Sequence, residues 1–296
     1  MADRKHADND AVGASRSASG GSRRKGSKGR PKSTRIITVS NQKGGVGKTT
    51  TTVNLAAALA LQGMHVLVID NDPQGNASTA LNIPHHSDVA STYDVLIEGT
   101  PLSEVVQDCP DVENLVVAPA TIDLAGAEIE LVSLEDRDRR LAQAIDNYAA
   151  YREENGLPRL DFVFIDCPPS LGLLTVNAFV AAREVLIPIQ SEYYALEGLS
   201  QLLSNIELIR EHMNPELVVS AILLTMYDGR TNLSAQVAQE VREHFPQQAL
   251  ESVIPRSVRI SEAPSFQQTV LTYDPSSTGS LAYQAVAREL LSKSIQ

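Results

Sequence analysis

A glycine-rich turn between a strand pattern and a helix pattern constrains the fold of this chain more than any other feature. The apolar run from Arg35 to Ser40 predicts a strand, and the Ala/Leu-rich stretch from Thr49 to Gln62 predicts a helix. The turn between them reads QKGGVGKTT over residues 42–50. Backbone N–H groups of such a turn converge on an anion, and the dipole of the following helix favours negative charge there. The sequence therefore predicts a phosphate-binding loop.

Each residue type in this loop suits the binding of a nucleoside triphosphate. Gly44, Gly45 and Gly47 let the backbone approach the phosphates without a Cβ atom in the way. Lys48 supplies a cation for the terminal phosphates, and the Thr49 hydroxyl is placed to bind Mg²⁺. The four threonines at 49–52 are mediocre helix formers, which indicates a helix start that faces a ligand. The predicted nucleotide contacts in the loop are Lys43, Gly44, Gly45, Val46, Gly47, Lys48, Thr49 and Thr50.

Charge is distributed unevenly along the chain. Residues 1–34 contain nine Lys/Arg and three Asp, a net charge of +6, whereas residues 35–296 contain 16 basic and 33 acidic residues, a net charge of −17. The Ser/Gly/Lys/Arg composition of residues 13–34 cannot build a core. We therefore predict a disordered basic tail over 1–34 and one ATPase-type domain over 35–296. The tail is either a solubilising leader or a non-specific arm for nucleic acid or another acidic surface.

Strand and helix patterns alternate after the tail. Apolar strand patterns lie at 65–70, 114–118, 161–166, 184–189 and 217–225, and helical periodicity lies at 122–150, 171–182, 195–212, 232–245 and 279–294. This alternation predicts an α/β fold: a single doubly wound, mostly parallel sheet with helices on both faces, of the P-loop NTPase type. Ligands of such sheets bind at the carboxyl ends of the strands.

Aspartates end two of these strands. Asp166 closes the pattern at 161–166, where a Walker B aspartate would hold the hydration shell of Mg²⁺. Asp70 closes the pattern at 65–70 and begins the segment DNDPQGN, which also contains Asp72. A turn rich in Pro, Gly and Asn explains the bend of this segment, but not its coincidence with a phosphate-binding loop. These acids are therefore candidates for the cation side of the site.

The loop and the DNDPQGN segment resemble the ParA/MinD family of ATPases. Gln42 stands where the ordinary Walker A pattern has glycine, and Lys43 precedes the glycine pair, as in the deviant Walker A signature of that family. The resemblance implies that Lys43 reaches across a dimer interface to the nucleotide of the other subunit. It also implies that Asp72 positions the attacking water and that Asp70 shapes the Mg²⁺ side of the site. The implied catalytic residues are Lys43, Lys48 and Asp72, the implied metal site is Thr49, Asp70 and Asp166, and the implied cofactors are ATP and Mg²⁺.

A third block, VIPRSVRISEAPS at residues 253–265, resembles chromosomal (Soj-type) ParA partition ATPases. The resemblance implies that Pro255 and Ser257 border the adenine. Ser257 replaces the usual asparagine of the family, so its contact is expected through the backbone. The resemblance covers about residues 35–294 and places three arginines near a DNA-binding face, namely Arg230, Arg256 and Arg259.

This resemblance implies a DNA-partition ATPase that acts in chromosome segregation. Mg-ATP would favour a sandwich homodimer that binds double-stranded DNA non-specifically, and a ParB-type centromere-binding protein would stimulate slow hydrolysis and release. Two cysteines and the absence of a secretory leader favour a cytoplasmic protein. The resemblance implies that it associates with the nucleoid and has no stable membrane association.

Three other interpretations use a similar nucleotide site. A MinD-like positioning ATPase binds lipid through a basic amphipathic C-terminal helix, but residues 285–296 have modest basicity and no aromatic anchor. A nitrogenase-reductase-like protein needs paired cysteine ligands for an iron–sulfur cluster, and Cys109 and Cys167 stand in unsuitable segments. An ATP-liganded DNA-binding regulator without significant turnover is opposed by the intact Asp72 and Asp166.

Overall fold

The computed structural model of the protein describes residues 29–192 and 195–293. Most of the predicted basic tail, residues 1–28, lies outside the described residues, so its disorder stays a prediction. The strands are β1 (Arg35–Val39), β2 (Val66–Asp70), β3 (Gln107–Asp108), β4 (Leu115–Ala118), β5 (Phe162–Asp166), β6 (Glu184–Gln190) and β7 (Val218–Thr225).

These strands form one sheet in the order β3-β4-β2-β5-β1-β6-β7. Neighbouring strands are parallel except for β3 and β4, which are antiparallel. β1 lies between β5 and β6. The loop that follows β1 therefore lies within the carboxyl edge of the sheet, with strands on both sides of it. The register places Asp166 opposite Val39 of β1 and opposite Asp70 of β2. The predicted fold class, a doubly wound and mostly parallel sheet, is confirmed.

Helices cover both faces of the sheet. None of the helices in residues 29–192 and 195–293 is long and apolar enough to cross a membrane. Short 3₁₀ turns at Leu131–Ser133 and Ala263–Phe266 and a π-helix at Asp94–Glu98 complete the helical segments. The α-helices are α1 (Lys48–Ala60), α2 (Asn76–Ala80), α3 (Leu102–Val105), α4 (Leu124–Glu130), α5 (Arg140–Glu154), α6 (Leu173–Ala181), α7 (Ala195–His212), α8 (Asn232–His244), α9 (Val258–Glu262), α10 (Val270–Tyr273) and α11 (Thr278–Ser292).

Each inner strand contributes to a hydrophobic core on either side, because successive side chains point to opposite faces. On β2, Val66 and Val68 pack in the cluster that contains α1, α2 and α11, whereas Leu67 and Ile69 pack in the cluster of α4, α5 and α6. A third cluster joins α7 and α8 to β6 and β7 on this second face. Burial on both faces explains why the inner strands are nearly continuous apolar runs in the sequence.

The structure corrects one sequence-based prediction of secondary structure and adds a strand that the sequence does not predict. The helix predicted over 122–150 is wrong as one element, since Leu134 has extended backbone angles and Asp136 has a φ of +50°. The segment instead forms α4 and α5 with an irregular connection between them. The sequence does not predict β3, because its two residues are too few to show a strand period.

A buried ion pair joins the first strand to the C-terminal helix. The Arg35 guanidinium donates to the two carboxylate oxygens of Glu184 at 2.7 and 2.6 Å, and Nη1 donates to the carbonyl oxygen of Leu290 at 2.5 Å. It also lies over the ring of Phe162, 5.4 Å from the centroid. Arg35 therefore connects β1 with β6 and with the last turn of α11, where the helix dipole favours a cation.

We predict that Glu184→Ala strongly destabilises the protein, because it leaves the Arg35 guanidinium buried without its counter-charge. The expected loss of unfolding free energy is about 3–5 kcal/mol, measured by urea denaturation. Glu216→Ala is the matched control, since its ion pair with Arg183 at 3.3 Å is exposed and worth at most about 1 kcal/mol. Equal effects of the two substitutions would contradict the prediction.

Candidate nucleotide-binding site

The loop between β1 and α1 depends on two glycines with left-handed backbone. Gly45 and Gly47 have φ angles of 73° and 87°, a conformation that is costly for other residues. Gly47 directly precedes α1, and no side chain of the described residues caps that helix. The N–H groups of the first turn are therefore available to an anion, which the helix dipole also favours.

Hydrogen bonds from neighbouring strands hold this loop in place. The hydroxyl of Thr225, at the end of β7, donates to the carbonyl oxygen of Val46 at 2.8 Å. Asn41 donates from Nδ2 to the carbonyl oxygen of Pro188 at 2.8 Å and accepts from the backbone N–H of Lys43 at 3.0 Å. Sequence reasoning missed Thr225 and Asn41. Thr225 does end the longest strand pattern at the edge where ligands bind, and that position is the signal that points to it.

Two buried carboxylates lie side by side below the loop. Asp166 and Asp70 end adjacent parallel strands in register, and both are fully buried. One Asp166 oxygen accepts from the Thr49 hydroxyl at 2.6 Å, and the other accepts from the Thr52 hydroxyl at 3.1 Å. Asp70 accepts from the backbone N–H and the hydroxyl of Ser78 at 2.8 and 2.7 Å. The first turns of α1 and α2 thus hold one carboxylate each.

Burial makes the charge of these carboxylates costly. Loss of solvation raises the pKa of Asp166 to about 8, and the negative charge of Asp70 adds to the increase. Burial likewise raises the pKa of Asp70 to about 6, although the hydrogen bonds from Ser78 oppose it. The pKa of Lys48 is lowered by burial, while the charges of Asp166 and Asp72 act in the opposite direction. The site therefore favours an additional cation.

The donor atoms suit Mg²⁺ held jointly with phosphate and water. Carboxylate and hydroxyl oxygens are hard ligands of the kind that this ion prefers. The described residues contain no group of three or more His, Cys, Asp or Glu side chains that could enclose a metal by themselves. Mg²⁺ commonly uses one or two carboxylates together with substrate phosphates and waters. Asp166 and Thr49 below an anion-binding loop fit that pattern.

Asp72 lies in a tight turn between β2 and α2. Its carboxylate accepts from the backbone N–H of Gln74 at 3.0 Å, and its own N–H donates to Asp70 at 3.3 Å. Gly75 has a φ of 62°, and a Cβ atom there would come within 2.9 Å of the His85 ring. The turn that carries Asp72 is therefore closely packed from outside by His85.

The threonine run lies at the start of α1, but its four side chains do not face one ligand as a unit. Thr49 and Thr52 donate to Asp166, and Thr51 is fully buried in the protein. Thr50 instead lines a cleft of about 120 Å³ beside the loop. Because successive helical residues differ by about 100° in direction, four consecutive side chains cannot share one surface.

The cleft beside the loop brings in the third sequence block. Pro255 and Ser257 line it together with Gly47, Thr50 and Met226. A parallel bridge between Tyr227 and Pro255 attaches the block to the segment after β7. Met226 has a φ of 51°, an uncommon conformation for this residue type. The structure thus gathers residues more than 200 positions apart in the sequence around one opening.

Comparison with known proteins identifies the family. Residues 34–219 match the family profile AAA_31, described as an AAA domain. The sporulation initiation inhibitor protein Soj of Bacillus subtilis is 49% identical over 256 residues, which are 86% of this chain and 98% of Soj. The chromosome partitioning protein ParA of Myxococcus xanthus is 48% identical over 259 residues, which are 88% of each chain. The chain belongs to the ParA/Soj family.

Solved structures agree with this membership. A cobyrinic acid a,c-diamide synthase from Mycobacterium smegmatis with bound ATP analog and magnesium has a TM-score of 0.73 and 35% identity, over 87% of this chain and 94% of the synthase. The septum site-determining protein MinD of Pyrococcus horikoshii, complexed with Mg-ADP, has a TM-score of 0.69 and 26% identity, over 87% of this chain and 96% of MinD. The predicted cofactors, ATP and Mg²⁺, agree with what these two proteins bind.

The two lysines of the ParA/Soj loop have opposite environments. Lys48 is 7% exposed and lies near Asp166 and Asp72. Lys43 is 48% exposed, and its Nζ forms an ion pair with Glu192 at 2.8 Å. Only Lys48 therefore faces the anion site of its own subunit, while Lys43 lies on the surface. Sequence reasoning did not identify Glu192.

The three predicted DNA-contacting arginines lie on the surface, where two of them already form ion pairs. Arg230 donates to Asp228 through Nε and Nη2 at 2.9 and 2.8 Å, and this pair lowers the pKa of Asp228 to about 2. Arg259 lies 3.2 Å from Glu262. Arg256 is exposed and has no ion pair among the described residues. Contact with phosphate would thus require Arg230 and Arg259 to leave acidic partners.

The raised pKa of Asp166 predicts a pH-dependent stability of the nucleotide-free and metal-free protein. Between the ordinary value of 3.8 and the folded value of about 8, the folded state binds more protons than the unfolded state. The free energy of unfolding therefore falls as the pH rises through this window. Asp166→Asn removes the buried charge, so this variant should lose less stability than the wild type between pH 6 and pH 8.

Thermal unfolding in EDTA measures the difference. We expect the melting temperatures of the two proteins to diverge by about 3 °C or more, since ~1 kcal/mol shifts a domain of this size by about 2–4 °C. Asp146→Asn, at an exposed position, is the control and should follow the wild type. Parallel pH dependence in wild type and Asp166→Asn would contradict the prediction.

Proposed function

We propose that this protein is a Mg-ATP-dependent partition ATPase whose ATP-bound form is a face-to-face homodimer that binds double-stranded DNA non-specifically. The observation that carries the proposal is the contrast between the two loop lysines. Lys48 is buried beside Asp166, whereas Lys43 extends from the same loop to the surface. A second cation on the outward-facing side of an anion site can serve a second anion that another molecule brings to it.

Within one subunit, residues Gly44 to Thr50 would hold the phosphates, with Lys48 as their cation. Pro255 and Ser257 would border the adenine. Bound Mg²⁺ supplies charge neutralisation at the phosphates when it is present. Thr49 and Asp166 would hold it, and the adjacent Asp70 would shape the Mg²⁺ side of the site while it orients the first turn of α2. Asp72 would accept a hydrogen bond from the attacking water and so orient it.

Lys43 adds to this chemistry only in the dimer. In a two-fold symmetric pair, each Lys43 approaches the nucleotide of the other subunit, so the exchange is reciprocal. A cation at the site of developing negative charge lowers the barrier to phosphoryl transfer. ATP favours the dimer because it binds that state better than the monomer, and hydrolysis removes this preference.

The DNA-binding surface would be local, because residues 35–296 carry a net charge of −17. Arg230, Arg256 and Arg259 can contact phosphates, and a dimer doubles the set. Phosphate contacts carry no base sequence, so binding would be non-specific. A ParB-type centromere-binding protein would stimulate the slow hydrolysis and so release the DNA. This cycle assigns the protein to the nucleoid in the cytoplasm.

The contacts of α11 argue against a MinD-like membrane function. Tyr283, Val286, Ala287 and Leu290 are buried in the core cluster that contains α1. The apolar face of the described C-terminal helix is thus occupied inside the protein. An amphipathic membrane anchor requires such a face to be available for lipid.

The basic tail would contribute a second DNA contact from the opposite edge of the sheet. Arg30 forms an ion pair with the buried Asp161 at 3.0 Å, and Arg159 donates to the carbonyl oxygens of Pro31 and Lys32 at 2.6 and 2.8 Å. Asp161 immediately precedes β5, so this attachment lies at the amino edge, away from the loop. A DNA contact made by residues 1–28 would therefore be independent of ATP.

Lys43→Ala tests the dimer. We predict that the variant retains nucleotide binding but that its ATP-dependent dimer dissociates at least about 30-fold more readily, since truncation of a desolvated charge contact costs about 2 kcal/mol or more. Analytical ultracentrifugation with ATP, ADP and no nucleotide measures this, and DNA retention should follow the dimer. Lys48→Ala serves as the reference for loss of nucleotide binding. A normal ATP dimer of Lys43→Ala would refute the proposed role.

Deletion of residues 1–28 tests the tail and leaves the contacts of Arg30 to Asp161 in place. We predict that the DNA affinity of this variant depends less on salt concentration than that of the wild type. The slope of log affinity against log salt concentration should decrease by about 0.9 for each phosphate that the tail neutralises in the wild type. The decrease should be the same with and without ATP. Replacement of Arg23, Arg24, Lys25 and Lys28 by Gln keeps the length and should reproduce much of this reduction. An unchanged slope in both variants would exclude a DNA contact by the tail.

A further inference from the structure

Lys43 is paired within its own subunit. Its Nζ lies 2.8 Å from Oε2 of Glu192, and the two side chains are 48% and 45% exposed. In this arrangement the ammonium is directed along the surface to a carboxylate that follows β6. The dimer proposed above needs the same ammonium at the nucleotide of the other subunit. The Glu192 carboxylate and the phosphates of the other subunit would therefore compete for the single positive charge of Lys43.

Contacts of β1 and β6 hold the two loops that carry Lys43 and Glu192. β1 and β6 are adjacent, with Val39 opposite Leu186, so the two loops begin side by side. Asn41 connects the Lys43 backbone to β6 through the hydrogen bonds described above. On the other loop, Ser191 donates from its N–H to the carbonyl oxygen of Thr225 at 3.3 Å.

The backbone contacts therefore already hold the two loops side by side. Less conformational entropy is lost when the side chains of Lys43 and Glu192 form their ion pair. Both charges remain partly solvated, so the pair is weak enough to break when a stronger anion appears.

We propose that Glu192 is a positioning residue for Lys43, which it holds in its own subunit until the phosphates of a second subunit's nucleotide replace the carboxylate. This inference rests on the proposed function and adds its regulation. Formation of a symmetric dimer exchanges two such pairs for two lysine–phosphate contacts. A triphosphate with Mg²⁺ carries more negative charge than one carboxylate, so the exchange favours the ATP-bound state. Glu192 thereby sets a threshold that keeps subunits apart without a suitable nucleotide.

Glu192→Gln removes the competing charge and nearly preserves the shape of the side chain. The ATP-dependent dimer should then bind about two- to thirty-fold more tightly, because two exposed ion pairs no longer have to be broken. The protein concentration at half-maximal ATPase activity should fall by the same factor, while kcat of the saturated dimer stays unchanged. If Glu192 had only a structural role, its replacement would not lower the half-maximal concentration while leaving kcat unchanged.

Glu207→Gln is the matched control. Glu207 pairs with Arg210 at 2.6 Å on α7, both side chains are 47% exposed, and the change in charge is identical. It should leave the dimer affinity as in the wild type. If Glu192→Gln weakens the dimer or behaves like the control, Glu192 does not compete for Lys43.

A second measurement examines the pair in the nucleotide-free monomer. Acylation of Lys43 by an N-hydroxysuccinimide ester, followed by peptide mass spectrometry, reports how far the Glu192 carboxylate restricts access to its Nζ. Loss of the carboxylate should raise the labelling rate about two- to five-fold, with no change for the Glu207→Gln protein. Tighter dimers without faster labelling would mean that Glu192 merely repels the incoming phosphates, and the inference would be wrong.

The two proposals fail in different ways. If the wild type forms no ATP-dependent dimer, the proposed function fails, while faster labelling of Lys43 still demonstrates the pair. If the wild type dimerises through Lys43 but Glu192→Gln changes neither measurement, only the regulatory inference fails.

Discussion

Two carboxylates buried side by side impose the main physical constraint on this site. Asp70 and Asp166 end adjacent parallel strands in register, so their charges are close and shielded from water. Hydroxyl and N–H donors from the first turns of α1 and α2 offset part of this cost, and Lys48 offsets more. The remaining negative charge favours a metal cation, and the start of α1, which no side chain of the described part of the chain caps, favours an anion directly above it. A magnesium-bound polyphosphate satisfies both requirements together.

The loop keeps its shape because three strands support it. Thr225 from β7 and the β6 backbone bonded to Asn41 fix the loop that β1 enters. The same frame places Lys43 beside Glu192 and Lys48 beside Asp166. Two lysines five positions apart thus have different environments, since left-handed glycines between them turn the backbone. Lys48 is buried in the protein, whereas Lys43 lies on its surface.

Much of the fold and part of the site could be predicted from local patterns. Apolar runs identify the inner strands, because burial on both faces leaves few polar positions in them. The phosphate-binding loop and the aspartates at the strand ends could be predicted, because each lies in one short continuous segment of the sequence. Asn41 and Glu192 were missed because an isolated asparagine or glutamate has no distinctive sequence context, whereas the end of the longest strand pattern does point to Thr225. The break between α4 and α5 was missed because apolar periodicity continues through Leu131 and Leu134 while the backbone does not.

The sequence by itself determined that a phosphate-binding loop joins a strand to a helix, that acids end two strands, and that basic charge is concentrated ahead of an acidic domain. These properties depend on neighbours in the chain. Only the tertiary structure decided that Asp70 stands beside Asp166, that Pro255 borders the same cleft as Gly47, and that Lys43 is paired with Glu192. Such contacts join residues far apart in sequence, and their geometry depends on strand order and register, which no local pattern specifies.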